Sequence, residues 1–518
     1  MIDLSKTVLG IELGSTRIKA VLIDEKHIPV AAGVHEWSDH LENGIWTYSD
    51  EEIRLGLQSC VRDLKRDLKE THGLTLETTG AIGISAMMHG YLPFDKDGRQ
   101  LCSFRTWKNT ITGDAAARLT DLFGFNIPQR WSIAHLYQAI LNVEDHVKDI
   151  AFLTTLAGYI HWQLTGEKVI GIGDASGMFP IDSARLDYRE DMLAQFKELT
   201  GIDLTLILPK VLPAGANAGR LTEAGALLLD PEGDLRAGIP FAPCEGDAGT
   251  GMTATNSVKV YTGNVSAGTS DFAMLVVDRE PGVHREIDMV TTPSGDPVAM
   301  VHCNNCTSDL NAWVDLLHEA ASLAGASVEK NDMYPLLFKK ALEGDADCGG
   351  LLDYNYIAGE GVIDLNEGRP LFTRRPDAAF NLANFMRAQL LSALATLKIG
   401  LDILTQTEHL EIRKLCGHGG FFKTPGVGAR LLSAAAGAPV QTMETAGEGG
   451  PYGMALLGAF MLWRKDGESL PDYLERCVFS DAQVTEIMAD KEDIEGFAAF
   501  LERYKKGLAI EEAAIRNL

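Results

Sequence analysis

The chain has 518 residues, 46% of them hydrophobic and 23% charged, and a formal net charge of −26 at pH 7. Such a length allows two or three domains with large cores, and the acidic balance argues against a general nucleic-acid binder, which would show a basic face; a local anion site remains compatible with it. No run of about 18 consecutive apolar residues occurs, so no membrane-spanning helix is expected, and Asp3 with no basic segment before an apolar one is not the start of a signal peptide.

In chain order, the first unusual stretch is "VLGIELGSTRIKAVLID", residues 8–24. It reads as a strand, a turn of Gly14, Ser15 and Thr16, and a second strand, with the lone carboxylate Glu12 before the turn and Arg17 and Lys19 after it. "TTGAIGISAMMHGYLPFD" (78–95) is a short apolar strand with a polar tip at His89, and "RTWKNT" follows with Trp107. "GDAAARLTDLFG" (113–124) has helical spacing ending in glycine, and 132–165 reads as mostly helical. "GIPFAPCEGDAGTGMTA" (238–254) reads as a strand, a Gly-rich turn and a helix start, with Asp247 at the junction.

The stretch "VKVYTGNVSAGTSDFAMLVVD" (258–278) then repeats the opening pattern, with Gly268, Thr269 and Ser270 in the place of Gly14, Ser15 and Thr16. A long-period echo of this kind implies two related halves, with a boundary near residue 256 that gives domains 1–256 and 257–518. In the second half, "AAFNLANFMRAQLLSALATLKIGLDIL" (378–404) reads as a long helix with Phe385, Leu391, Leu394, Leu397 and Ile399 on a buried stripe. "EIRKLCGHGGFFKTPGVGARLLSAAAGAPV" (411–440) reads as a βαβ unit whose glycine loop follows the strand's carboxyl end, where α/β sheets bind ligands. "GEGGPYGMALLGAF" (447–460) is a small-residue helix suited to close packing, and 465–518 is charged, helical and peripheral.

Turns rich in glycine and hydroxyl side chains present backbone N–H groups and make concave anion sites. Two such turns suit a polyphosphate. A carboxylate beside phosphates needs a cation between them, and Mg²⁺ bridges the two readily; Glu12 then serves the metal, and Thr16 and Lys19 the phosphates. The blander alternative is a surface hairpin with incidental charge. Asp247 is either a helix N-cap or the acceptor of a substrate hydroxyl's proton. His89 is either a satisfied polar group or a partner for a sugar hydroxyl, and Trp107 either stacks on a sugar or belongs to a core. No GxxxxGK[ST] occurs, and "GDAGTG" is no dinucleotide fingerprint. Eight cysteines are too sparse for a disulfide framework and fit a reducing cytoplasm; Cys303 and Cys306, in "HCNNC", read as packed thiols.

Together these motifs resemble the FGGY carbohydrate kinases, xylulokinase-like members in particular, within the sugar kinase, Hsp70 and actin superfamily. The resemblance covers about residues 8–463 and rests on five motifs in the family's order: "GIELGSTRIKAVLID", "CEGDAGTG", "VSAGTSDF", "GHGGFFKTPGVGARLLSAAAGAPV" and "GEGGPYGMALLGAF". It implies an α/β fold of two actin-like (ribonuclease H-like) domains flanking a deep catalytic cleft, with sugar bound mainly by the first and ATP by the second. Asp247 matches the catalytic base and Glu12 the Mg²⁺-linked acid. Ser15, Thr16, Lys19, Gly268 and Thr269 match phosphate-side positions, and Gly419 and Gly420 nucleoside-side positions. "MMHG" makes Met88, His89 and Gly90, with Trp107 and Asp247, substrate candidates. The chain departs from the family with Glu12 in place of Asp, with Asn109 and Ile111 in "WKNTI" in place of a charged pair, and with Phe421 and Phe422 after Gly420.

The implied activity is ATP- and Mg²⁺-dependent phosphorylation of a terminal hydroxyl of a sugar, most naturally a ketopentose such as xylulose or ribulose. The partners are then a small sugar and ATP, with no nucleic acid and no membrane; a homodimer is compatible with the chain. Two alternatives stay open: an actin-like ATPase switch acting on a protein partner, and a catalytically silent sugar-binding regulator.

Overall fold

The computed structural model describes residues 2–443, 449–480 and 482–518. It contains two compact units. The first comprises Met1–Val258, Met289–Val298 and Glu448–Ala482, and the second Lys259–Asp288, Ala299–Gly447 and Gln483–Leu518.

The first unit is built on a five-stranded sheet in the order Glu245–Gly246, Ala81–Ala86, Val8–Leu13, Arg17–Ile23, Pro29–Glu36. Val8–Leu13 and Arg17–Ile23 form the antiparallel hairpin read from the sequence, with Glu12 opposite Lys19. Ala81–Ala86 and Glu245–Gly246 add in parallel, so the carboxyl ends of Val8–Leu13, Ala81–Ala86 and Glu245–Gly246 emerge at one edge. That edge is where parallel α/β sheets place their ligand groups.

Helices Asp50–His72 and Gly449–Trp463 pack on this sheet. Asp50–His72 starts on a capping box, Ser49 with Glu52, and ends on Gly73 in the left-handed conformation. It packs on Pro29–Glu36 where Gly33 lets the Cys60 carbonyl come close. Gly449–Trp463 is the small-residue helix, and of its motif Gly447 and Glu448 lie outside the described residues. It follows residue 256 in chain order yet packs on Val8–Leu13 and Ala81–Ala86. A β-carbon on Gly10 would stand 2.0 Å from the Pro451 carbonyl oxygen, so only glycine permits this approach.

The segment 132–165 is less helical than its composition predicts. Helices Ser132–Leu141 and Leu156–Thr165 are separated by a 3₁₀ turn, Asp145–Asp149, and by the strand Phe152–Thr154. That strand pairs antiparallel with Leu92–Phe94, and all three of its residues are buried. Tertiary pairing overrides local helix preference here.

The second unit holds a seven-stranded sheet in the order Ile287–Thr291, Pro297–Cys303, Asp271–Val276, Thr262–Ala267, Lys414–His418, Val440–Met443, Val484–Ile487. Thr262–Ala267 and Asp271–Val276 form the second hairpin. Lys414–His418, helix Val427–Ala436 and Val440–Met443 form the expected βαβ unit, its strands parallel. Helix Leu382–Asp402 is buried on nearly every side, and Ile399 is only half-buried, so the helix is a core element rather than a striped one. By length and hydropathy alone Leu382–Thr407 could cross a membrane, but 72% of its apolar window is buried inside the fold.

The C-terminal segment is not peripheral. Val484–Ile487 forms the edge strand of the large sheet. Helix Lys491–Asn517 buries Phe497, Phe500 and Tyr504, and the Tyr504 hydroxyl donates to the Tyr356 hydroxyl at 2.6 Å. Asp493 is buried against Arg387 at 2.5 Å.

Candidate active site

The first turn is anchored through its carbonyl oxygens. The Trp37 indole N–H donates to the Gly14 carbonyl at 2.7 Å, the Tyr48 hydroxyl to the Ser15 carbonyl at 2.6 Å, and the Trp37 amide to the Thr16 carbonyl at 3.2 Å. The Trp37 and Tyr48 rings stack at 4.2 Å. The carbonyls are thus taken, while the amides of Ser15 and Thr16 make no hydrogen bond among the described residues, an arrangement that suits an anion. Thr16 is exposed and Lys19 half-buried beside Glu12.

The second turn repeats the arrangement in the second unit. The Gly268 carbonyl accepts from the Thr307 amide at 3.0 Å and hydroxyl at 2.7 Å, and the Thr269 carbonyl accepts from the Cys306 amide at 3.0 Å. A β-carbon on Gly268 would meet nothing within 4 Å, so the turn faces open space. Cys303 and Cys306 are buried, and the amide of Cys306 helps to seat this turn. Gly419, at φ +98°, packs on the Ala267 carbonyl, which brings the glycine loop beside Gly268. Gly420 faces open space. Phe421 is core, and the Phe422 ring covers Gly417. His418, pushed down to about 4 by burial, stays neutral at physiological pH.

Asp247 opens helix Asp247–Ala254 directly after the strand Glu245–Gly246. Its Oδ1 accepts the Met88 amide at 3.2 Å and the Ala248 amide at 3.0 Å. Burial raises its pKa to about 6, and these amides oppose the rise. Glu12 is raised to about 7, first by burial and then by the charge of Asp247, with Lys19 opposing. The Glu12 carboxylate lies against Gly450 at the start of the small-residue helix.

The loop after Ala81–Ala86 brings Met88 to Asp247. His89 at φ 70° and Gly90 at φ 93° then reverse the chain. A β-carbon on Gly90 would stand 2.7 Å from the Phe104 ring and 2.9 Å from the Arg105 carbonyl, so both conformation and space demand glycine. His89 is buried, its Nδ1 3.1 Å from the Gly177 carbonyl oxygen, so Nδ1–H is the donor. Trp107 donates its indole N–H to Ser15 Oγ at 3.3 Å, so its polar end serves the first turn. Asn109 donates to and accepts from the backbone of Trp46 at 2.9 Å, holding the hairpin His40–Thr47.

Glu12, Lys19, Met88 and Asp247 thus meet at one sheet edge, and Gly268 and Gly419 meet in the second unit. Gly450, which touches Glu12, and Asp174, Glu245 and Thr155, which lie behind Asp247, carry no local mark in the sequence. No group of three or more His, Cys, Asp or Glu side chains among the described residues is arranged to hold a metal by itself. One carboxylate with water suits Mg²⁺ that arrives on nucleotide phosphates. A cavity of about 420 Å³, lined by Leu136, Ile140, Val143, Ile202 and Ile207 among others, contains none of these residues.

Residues 7–253 match the N-terminal domain of the FGGY family of carbohydrate kinases, and residues 263–462 match its C-terminal domain. A xylulose kinase of Haemophilus influenzae is 22% identical over 421 residues, covering 77% of this chain and 80% of that protein. A glycerol kinase of Ectopseudomonas mendocina is 28% identical over 266 residues, 46% of this chain and 51% of its own. The ligand-bound xylulose kinase of Lactobacillus acidophilus superposes with a TM-score of 0.79 at 16% identity, over 97% of this chain and 98% of that one.

Proposed function

The chain belongs to the FGGY family of carbohydrate kinases, ATP-dependent phosphotransferases with an alcohol acceptor, and we propose that it phosphorylates a terminal hydroxyl of a ketopentose such as xylulose or ribulose, with Asp247 as the base. The observation that carries this reading is the setting of Asp247: a half-buried carboxylate at a strand-to-helix junction, with two backbone amides on Oδ1. Oδ2 is then the oxygen for a substrate hydroxyl.

With its pKa raised to about 6, Asp247 is ionised at neutral pH and a stronger base than an ordinary carboxylate. It orients the sugar hydroxyl and takes its proton as the oxygen bonds to the γ-phosphorus and the bond to the ADP oxygen breaks. Ser15, Thr16 and Lys19 attend the transferring phosphoryl group, and the amides beyond Gly268 attend the nucleotide phosphates; such donors act where charge develops. Gly419 and Gly420 border the nucleoside. Mg²⁺, when bound, neutralises phosphate charge, and Glu12 would hold it through water. Met88, His89 and Gly90 shape the sugar side, and Trp107 acts through Ser15. The eight cysteines, all free, accord with a reducing cytoplasm.

The ketopentose is favoured by the "MMHG" loop and by the length over which the xylulose kinase of Haemophilus influenzae aligns; the glycerol kinase relative makes a polyol the competing acceptor. The test is ATP consumption with Mg²⁺ over a panel of ketoses, polyols and aldoses. Stimulation by one ketopentose above all others is expected. Equal or greater stimulation by glycerol or an aldose would overturn the choice of sugar.

A further inference from the structure

Behind Asp247 lie two buried carboxyl groups that the reaction as described does not use. Glu245 is two residues before the base. Its Oε1 accepts the Gly173 amide at 3.3 Å and its Oε2 the Asp174 amide at 3.0 Å. The seat is made of glycine: a β-carbon on Gly171 would stand 2.4 Å from Oε1, and one on Gly173 2.4 Å from Oε2. Asp174 is fully buried. Its Oδ2 accepts the Thr155 hydroxyl at 2.6 Å, and Thr155 in turn caps helix Leu156–Thr165. Its Oδ1 has no hydrogen-bond partner among the described residues and lies beneath Gly246, 3.4 Å from where a β-carbon there would be.

We propose that Glu245 and Asp174 are positioning residues for the base: the chain Thr155–Asp174–Glu245 locks the strand that ends in Asp247 to the helix Ile172–Ala175, and by holding protons it keeps Asp247 the one ionised carboxylate of the cluster. The inference rests on Asp247 being the base. Among the described residues no cation stands beside Asp174 or Glu245 to balance two further charges next to the half-buried Asp247. Burial raises Glu245 to about 8, with Asp174 adding to the rise, and raises Asp174 to about 7, with Asp247 adding to it. The other titratable groups that face the pair are Tyr188 and Cys244, both pushed up by burial and neutral at pH 7; Glu12, opposite Lys19, faces Asp247. Ionising Asp174 or Glu245 places a second charge beside the base and opposes an incoming phosphate, so activity should fall on the alkaline side.

The test uses the full chain with ATP, Mg²⁺ and the sugar that the panel identifies. In the wild type, kcat/KM should rise through about pH 6 and fall between about 7 and 8. Asp174→Asn and Glu245→Gln should move the alkaline limb up by about one pH unit or more while leaving the acid limb in place. A merely structural role would lower the rate at every pH and move neither limb, which would overturn the proposal. Infrared spectroscopy of the folded, substrate-free protein gives a readout independent of activity. Beside the bands of other buried acids such as Glu12, Asp271, Asp353 and Glu360, a component of the protonated-carboxyl band that is present at pH 6, titrates away by pH 9 and is lost in Asp174→Asn or Glu245→Gln is expected; a wild-type band that neither variant diminishes would also overturn it. Turnover retained by Asp247→Asn would instead remove the base reading, with the infrared titration still deciding whether the pair holds protons.

Discussion

The carboxylate of Glu12 rests directly on the backbone of Gly450: a β-carbon on Gly450 would stand 1.9 Å from Glu12 Oε1. The glycine at the head of the helix Gly449–Trp463 therefore decides where the acid on the first hairpin points. Gly450→Ala should push Glu12 aside and raise the Mg²⁺ concentration needed for half-maximal rate by roughly ten-fold, as should Glu12→Ala. A Mg²⁺ titration of the two variants checks this; unchanged midpoints would separate Glu12 from the metal.

The two turns share a device: their carbonyl oxygens are held by donors of the same unit, and no hydrogen bond from the Ser15, Thr16 or Thr269 amide occurs among the described residues. Tyr48→Phe removes the bond to the Ser15 carbonyl, and Thr307→Val removes the hydroxyl bond to the Gly268 carbonyl. Each should lower stability by about 1 kcal/mol and raise the KM for ATP several-fold more than the KM for sugar. Steady-state kinetics with each substrate varied in turn will show whether the loss falls on the nucleotide.

Trp107→Phe separates two roles for one side chain. The variant keeps a flat ring but loses the indole N–H that reaches Ser15 Oγ at 3.3 Å. If Trp107 acts through Ser15, the KM for ATP rises and the KM for sugar holds. If it acts by stacking on the sugar, neither changes appreciably.

The buried carboxyls make stability pH-dependent. Glu12, Asp174 and Glu245 are raised by burial to about 7, 7 and 8, whereas in the unfolded chain they titrate near 4. Above pH 6.5 the folded state therefore binds more protons than the unfolded one, and stability falls as pH rises through these values. His135, His161 and His418, pushed down by burial to about 3, 4 and 4, act in the opposite sense but only below pH 6.5. The Tm of the ligand-free protein should be lower at pH 8.5 than at pH 6.5, and Glu245→Gln should flatten the drop. A Tm that rises over this interval would contradict the protonated state of these groups.

Much of this arrangement is legible in the sequence because it is local. Strand, turn and strand follow one another in both hairpins, the strand Lys414–His418 runs straight into Gly419 and Gly420, and Asp247 sits between a strand and a helix; neighbouring residues suffice to read each. What escapes reading depends on distant partners. Gly450 looks like helix filler until Glu12 is placed against it. Glu245 looks like an ordinary acid until Gly171 and Gly173 form its seat. The strand Phe152–Thr154 exists because Leu92–Phe94 pairs with it, and Val484–Ile487 because the sheet edge at Val440–Met443 receives it. Burial and register of this kind arise only once the chain has folded, whereas composition reports only charge and helix preference.

Asp247 is proposed to take the proton of the sugar hydroxyl. Asp247→Asn keeps the size of the side chain and an oxygen for the Met88 and Ala248 amides while removing the base. Sugar-dependent ATP consumption by this variant, measured beside nucleotide binding by calorimetry, isolates that role. Phosphoryl transfer should fall by about three orders of magnitude or more while ATP affinity stays within a few-fold of wild type. Turnover near the wild-type rate would contradict it and return Asp247 to the role of a helix start.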